Sequence, residues 1–153
     1  MSKTTPDLLP SETVLHIRDT CLCLAVQRAA RRLSRRFDLA LRPFGLTNGQ
    51  LSLMMALNRS EPPAIGRLAP FLGMDPSTLT AAVKPLSRRG LLVVEPDPDD
   101  GRSRLLRITP EGVSLLREAA EAWREAHAEL DSALPAGLPA ELRDGLALLA
   151  DLP

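Results

Sequence analysis

One stretch of the chain, residues 77–112, joins an amphipathic segment directly to two short runs of branched apolar residues. Its sequence is STLTAAVKPLSRRGLLVVEPDPDDGRSRLLRITPEG. Apolar side chains recur at i, i+3, i+4 and i+7 in its first part, which indicates a helix with one buried face. These side chains are Leu79, Ala82, Val83 and Leu86. The two later runs flank a tip of aspartate, proline and glycine, which is typical of strands joined by a turn.

The opposite face of this helix carries small, hydroxylated or basic side chains. They are Ser77, Thr78, Thr80, Ala81, Lys84 and Arg88. A helix that enters the major groove of DNA must be compact near the bases and must offer donors and cations to phosphates. The hairpin adds Arg102 and Arg104, next to Asp100. The combination predicts a winged helix-turn-helix that binds double-stranded DNA.

The formal net charge is zero, but the charge is unevenly distributed along the chain. Residues 12–46 contain seven Arg against three acidic residues, and residues 47–109 contain eight Lys or Arg against six. Residues 110–153 contain three Arg against nine acidic residues. This asymmetry is expected of a protein that binds phosphates with one part and a partner with another, although an acidic helix can also be a solvated face.

The coarse pattern predicts a mainly α fold with a small two- or three-stranded β-wing. We expect one long first helix over residues 11–41, ended by Pro43 and Gly45. Further elements are expected as helices near 47–58, 65–72, 76–89, 110–134 and 139–152, and strands near 91–95 and 104–108. Pro70 and Pro85 fall inside two of these helices, where a missing backbone donor favours a kink. A kink at Pro85 could direct Arg88 and Arg89 toward the DNA backbone.

The wing carries the most specific resemblance to a known family. Asp97-Pro98-Asp99-Asp100-Gly101-Arg102 is followed by a strand that ends in Ile108-Thr109 and then Gly112. This arrangement resembles the wing of the MarR family of bacterial transcriptional regulators. The resemblance implies that Arg102 enters the minor groove and that Asp100 orients it. Gly101 stands where many relatives have a second basic residue.

The same resemblance covers nearly the whole chain and implies a domain organisation. Residues 1–153 would form a single domain, in which 11–46 and 110–153 supply interlocked dimerisation helices and 47–109 form the DNA-binding lobe. The terminal helices favour a homodimer independently, because their apolar stripes have too little core of their own. A twofold symmetric dimer reads two half-sites, so we expect a palindromic operator.

Two sets of residues are candidates for a signal-sensing site. A small apolar or aromatic effector could bind near the hinge at 43–45, lined by Phe37, Leu41, Phe44 and Met54; the alternative is that these residues are plain core. Cys23 matches the position of the reactive cysteine in the hydroperoxide-sensing branch of the family, but a buried structural thiol is the favoured interpretation. Cys21 and Cys23 would lie about 200° apart on a continuous helix, too far around for a disulfide.

The remaining function classes lack a signature in the sequence. No phosphate loop, nucleophile elbow or metal motif is visible, so we expect neither an enzyme nor a metal site nor a cofactor. No apolar run is long enough to span a membrane and the N-terminal residues lack a basic-then-apolar signal pattern, which favours the cytoplasm. The expected function is a sequence-specific repressor released by a ligand. The alternatives are a thiol-based redox sensor using Cys23 and a winged-helix protein-interaction module without DNA binding.

Overall fold

A computed structural model of the chain describes residues 8–152. The helices are α1 (Ser11–Thr20), α2 (Leu22–Leu41), α3 (Asn48–Leu57), α4 (Ile65–Leu72), α5 (Pro76–Arg88), α6 (Pro110–Ser132) and α7 (Leu138–Ala150). A 3-10 turn, Arg42–Phe44, follows α2, and the strands are β1 (Leu92–Pro96) and β2 (Arg104–Ile108). The predicted mainly α fold with a small wing is confirmed. The chain divides into two compact units between residues 35 and 36.

The first unit differs from the predicted single long helix. The helix is interrupted at Cys21, whose backbone is extended with ψ 101°. The Cys21 Sγ accepts a hydrogen bond from the Leu24 amide at 3.4 Å, as a capping side chain does at a helix start. Thr20 donates its hydroxyl to the His16 carbonyl at 2.8 Å. Side chains that bond to nearby backbone groups offer an alternative to the helical ladder, which accounts for the break. None of the described residues 8–35 is buried.

The second unit contains the hydrophobic core, which lies between α3, α4, α5, the hairpin and α6. Its largest fully buried side chains are Leu41, Leu53, Met54, Leu57, Leu79, Leu86, Leu92 and Leu106. On α5 the predicted apolar face is correct: Leu79, Val83 and Leu86 are buried. Burial of this apolar face turns the opposite, polar face of α5 toward solvent.

The wing is a two-stranded antiparallel sheet, with Leu92 opposite Ile108 and Pro96 opposite Arg104. Ala64 adds an isolated bridge to Leu105, and the Leu106 amide donates to the Pro63 carbonyl at 3.1 Å. These contacts fasten the middle of β2 and its half nearer the tip to the segment before α4. Both prolines of the prediction lie inside helices, Pro70 in α4 and Pro85 in α5, and both helices continue past them.

A close approach fixes the start of α6 against the end of α5 and the beginning of β1. The Thr109 hydroxyl donates to the Gly90 carbonyl at 2.7 Å and accepts from the Gly112 amide at 3.0 Å, which caps α6. The Thr109 amide donates to the Leu91 carbonyl at 3.1 Å. A Cβ at Gly112 would overlap that same Leu91 carbonyl oxygen. The Thr-x-x-Gly pattern is thus a packing requirement of the lobe.

The C-terminal helix α7 is exposed over residues 140–150 and has no buried residue. Leu142, Leu146, Leu148 and Leu149 are all among its exposed side chains. None of the helices within residues 8–152 is both long and apolar enough to cross a membrane.

Replacing Gly112 by alanine should destabilise the protein, because the added methyl group meets a backbone carbonyl that cannot move aside. We expect a loss of about 1–3 kcal/mol in the free energy of unfolding, the usual range for overpacking. The matched control is Gly66→Ala in α4, where nothing lies within 4 Å of the added Cβ. That variant should keep or slightly raise stability. Equal urea midpoints for the two variants would contradict the packing role of Gly112.

Candidate nucleic-acid interface

The outer face of α5 presents the six residues that the sequence assigned to DNA. Ser77, Thr78, Thr80, Ala81, Lys84 and Arg88 are all exposed. Asp75 is the N-cap residue and Pro76 occupies the first helical position, as predicted. The Thr80 hydroxyl donates to the Pro76 carbonyl at 2.9 Å. Its oxygen therefore remains an acceptor toward a ligand while its proton is engaged within the helix.

The wing tip is held by its own carboxylates. The Asp100 Oδ1 accepts from the backbone amide of Arg102 at 3.0 Å, and the Asp97 Oδ1 accepts from the amide of Asp99 at 3.0 Å. The Ser103 amide donates to the Asp100 carbonyl at 2.8 Å, which closes a tight turn. Asp100 thus fixes the backbone of Arg102 rather than its guanidinium. That Asp100 orients Arg102 in the minor groove stays a prediction. Its hydrogen bond to the Arg102 amide is the contact through which it could act.

The three arginines of the hairpin differ in how their guanidinium groups are occupied. Arg104 folds back and donates to the Ser103 carbonyl at 3.1 Å. Arg107 forms an ion pair with Glu95 at 3.4 Å. Arg102 is exposed, and its guanidinium makes no hydrogen bond or ion pair with any residue in the 8–152 range. Of these three cations, Arg102 is the one whose full donor set is available to an external anion.

Arg89, which the sequence analysis directed toward the DNA backbone, instead binds the segment between α2 and α3. Arg89 donates from Nη1 to the Gly45 carbonyl at 2.6 Å and from Nη2 to the Phe44 carbonyl at 2.9 Å. The expectation that a proline kink would direct Arg89 toward DNA is therefore wrong, because its guanidinium is engaged 44 residues away. Arg88 remains exposed. The only local signal for Arg89 is a basic residue just before Gly90, which also suits an ordinary helix end.

The four residues proposed to line an effector pocket lie in or beside the core. Leu41 and Met54 are fully buried, and Phe44 packs partly buried against the same cluster. Phe37 stacks with Trp123 at a ring-centroid distance of 6.3 Å and approaches His127 at 5.2 Å. A cleft of about 840 Å³ lies elsewhere, between the wing tip, α4 and the loop before it. The core-packing alternative describes the observed state of all four residues.

One of the two cysteines does not occupy the environment predicted for it. Cys23 is exposed, and its Sγ accepts from the Gln27 amide group at 3.3 Å, so the expectation of a buried structural thiol is wrong. Cys21 is half-buried at the helix break. Both are free thiols. No cluster of three or more His, Cys, Asp or Glu side chains within residues 8–152 could hold a metal ion.

An exposed polar helix face, followed by an arginine-bearing hairpin on a shared core, defines a winged helix-turn-helix protein. The MarR family model matches residues 46–103, which span the lobe from the end of the hinge to the wing tip. An uncharacterized HTH-type transcriptional regulator of Mycobacterium leprae is 34% identical over 104 residues, 68% of this chain and 70% of that protein. The chain therefore belongs to the MarR family of winged-helix transcriptional regulators.

Solved structures of regulators share this fold over most of their length. The M. tuberculosis regulator MosR in complex with DNA is 32% identical, with a TM-score of 0.76 over 85% of this chain and 93% of that chain. The repressor CouR bound to a 23-mer DNA duplex is 27% identical, with a TM-score of 0.77 over 88% of this chain and 95% of that chain. CouR from Rhodococcus jostii RHA1 has also been solved with p-coumaroyl-CoA.

Among the curated relatives is the organic hydroperoxide resistance transcriptional regulator of Bacillus subtilis, 26% identical over 99 residues, which are 65% of this chain and 67% of that protein. The chain spans about two thirds of the length of the curated relatives it matches, from 65% to 70%.

Proposed function

We propose that the protein binds double-stranded DNA as a homodimer, represses transcription, and is released by a small-molecule ligand. One observation carries the proposal: a MarR-type lobe presents an exposed polar face on α5 and an unengaged Arg102 at the wing tip. Binding to DNA in this way would place the protein in the cytoplasm. The function is that of a binding protein rather than of an enzyme.

Helix α5 and the wing would contact different grooves of the DNA. Ser77 and Ala81 are small enough to let α5 approach base edges in the major groove, where side chains can distinguish all four base pairs. Lys84 and Arg88 supply cations to the flanking phosphates. Arg102 at the wing tip would enter the adjacent minor groove, whose narrow A·T-rich stretches attract arginine. Asp100 supports this contact by holding the Arg102 backbone in the turn.

The exposed apolar residues outside the core support a dimer. Val14, Leu15 and Ile17 on α1 are about half exposed, and Leu148 on α7 is 73% exposed. Short helices are marginally stable in water unless an apolar face is covered. A second copy of the chain would cover both helices. Its twofold symmetry would set two α5 helices about 34 Å apart, one turn of DNA, and thus require a palindromic operator.

An effector near the hinge would have to displace the chain there. Leu41 and Met54 are fully buried, so a ligand that contacts Phe37 and Phe44 must open the core between α2 and α3. A ligand shifts an equilibrium only by its differential affinity for the two states. If the protein leaves DNA when the hinge opens, a ligand that binds only the open hinge has the required difference in affinity between the DNA-bound and the released state. The CouR complex with p-coumaroyl-CoA supports effector control in this fold.

A protein-interaction module without DNA binding is the second function class for a winged helix. Such a module has no need for cations on both the helix and the wing. Lys84 on α5 and Arg102 on the wing are both exposed, which favours DNA.

The affinity for operator DNA should fall steeply as salt rises, and Arg102→Ala should make that fall less steep. A dimer that neutralises 6–10 phosphates loses about 10³–10⁵-fold in affinity between 50 and 200 mM salt. Removing one cation from each protomer should lower the slope of log K against log salt by roughly 1.8. The measurement is a fluorescence-anisotropy titration with DNA from upstream of the protein's own gene.

Arg107→Ala is the matched control, because this arginine lies on the same hairpin but is already paired with Glu95. Its salt slope should stay close to that of the unmodified protein. Wild-type protein that binds no genomic fragment, or binds independently of salt, would overturn the DNA-binding function. An unchanged slope for Arg102→Ala would overturn the wing assignment alone.

A peroxide titration distinguishes two models of how the protein leaves DNA: binding of a small-molecule ligand and oxidation of Cys23. Under the ligand model, a peroxide titration of the protein–DNA complex leaves the Cys23→Ser variant and the wild-type protein with the same response. Cys21→Ser is the matched control, since serine retains the cap at the start of α2. Peroxide release that occurs in the wild type and in Cys21→Ser but disappears in Cys23→Ser would establish the redox model instead.

A further inference from the structure

We propose that Arg89 is a positioning residue that locks the recognition helix α5 to the hinge between α2 and α3. The inference rests on the proposed DNA-binding function. It gives Arg89 a part in that function although Arg89 would not contact DNA. Arg89 would fix the orientation of α5 and so restrict the protein to operators of one half-site spacing.

The geometry of the contact is that of a two-pronged clamp. The two terminal nitrogens of Arg89 donate to the adjacent carbonyls of Phe44 and Gly45, at 2.9 and 2.6 Å. These carbonyls end the 3-10 turn after α2, where backbone acceptors lack intrahelical partners. The planar guanidinium fork suits two neighbouring acceptors, which a lysine ammonium would not bind in the same way.

The hinge is shaped to receive the clamp. Gly45 has a left-handed backbone with φ +63°, a conformation that glycine adopts without strain. A Cβ added there would lie 3.3 Å from Nη1 of Arg89, so the guanidinium packs closely over the glycine. The far side of the hinge is held separately, because Asp38 Oδ1 accepts from the Asn48 amide at 2.7 Å.

The position of Arg89 at the end of α5 makes the clamp a link between hinge and helix. Arg89 is the C-cap residue, and its backbone amide donates to the Pro85 carbonyl at 3.1 Å. Its side chain therefore ties the last turn of α5 to the hinge. A rotation of α5 larger than the Arg89 side chain can follow would break two charge-assisted hydrogen bonds, which are among the stronger bonds in proteins.

The neighbouring Arg88 provides a contrast within one dipeptide. Arg88 is exposed on the outer face of α5, where it can reach a phosphate. The Arg89 guanidinium is committed to carbonyls, so removing its charge should not change how many phosphates the protein neutralises. The two arginines should consequently differ in the salt dependence that their loss produces.

The test compares Arg89→Gln, Arg89→Lys and Arg88→Gln on one operator between 50 and 200 mM salt. We expect Arg89→Gln to bind at least about tenfold more weakly at every salt concentration, with an unchanged slope of log K against log salt. Arg88→Gln should flatten the slope by roughly 1.8 per dimer. Arg89→Lys should remain weak, because it restores the charge without the fork. Far-UV circular dichroism checks that each variant is folded.

Two further measurements distinguish positioning from general support of the fold. Operators with one base pair added or removed between half-sites should be rejected by the wild type and tolerated better by Arg89→Gln. In the free protein, Arg89→Gln should speed hydrogen exchange of the amides in 42–48 and 86–91 at least about tenfold, without a comparable rise in α6.

A flattened slope in Arg89→Gln, or full rescue by Arg89→Lys, would overturn the proposal in favour of a phosphate contact. Unchanged affinity, spacing preference or hinge exchange would overturn it as well. Failure of the wild type to bind DNA would instead overturn the proposed function, and the positioning role with it. The exchange experiment reports on the clamp itself in either case.

Discussion

The architecture of the lobe depends on one close approach, where the start of α6 lies against the Leu91 carbonyl. Gly112 leaves room for that carbonyl, and Thr109 binds the Gly90 and Gly112 backbones at the same point. The end of α5, the start of β1, the end of β2 and the start of α6 therefore meet within a few residues. The junction thus joins the recognition helix, the wing and α6 largely through backbone groups.

The fold decides which of the charged side chains are exposed and free to contact DNA. A chain with zero net charge has no overall attraction to DNA. The buried face of α5 turns Lys84 and Arg88 outward, and the closed turn at the wing tip presents Arg102. Neighbouring arginines are engaged within the protein, Arg107 in an ion pair with Glu95 and Arg89 in hydrogen bonds to two backbone carbonyls. The outward face of α5 and the wing tip thus each present unengaged cations, as a groove-binding protein requires.

Features that depend on local pattern were predictable from the sequence. The 3.6-residue period placed Leu79, Val83 and Leu86 in the core, and the turn residues at 97–101 placed the hairpin. The Thr-x-x-Gly motif was recognised by resemblance, but its reason is the approach to Leu91, which local pattern does not reveal.

Features that depend on side-chain choices or on distant contacts were not predictable. The interruption at Cys21 comes from a thiol that accepts a backbone amide, and no proline or glycine marks it. The exposure of Cys23 accompanies the absence of any buried residue in residues 8–35, which the apolar pattern does not reveal. Arg89 and Arg88 look alike in sequence, and only the contact across 44 residues separates a clamp from a phosphate ligand. The sequence placed the four candidate effector-binding residues near the hinge in an apolar cluster. The spacing of apolar residues could not show whether that cluster is packed core or encloses a cavity.

The central claim is that a symmetric dimer places α5 in successive major grooves and its two wings in the flanking minor grooves. Hydroxyl-radical footprinting of the protein on its operator tests this arrangement most directly. The account predicts two equivalent protected regions centred about one helical turn apart, with outer minor-groove protection that disappears in Arg102→Ala. A single asymmetric footprint, or outer protection that persists without Arg102, would contradict it.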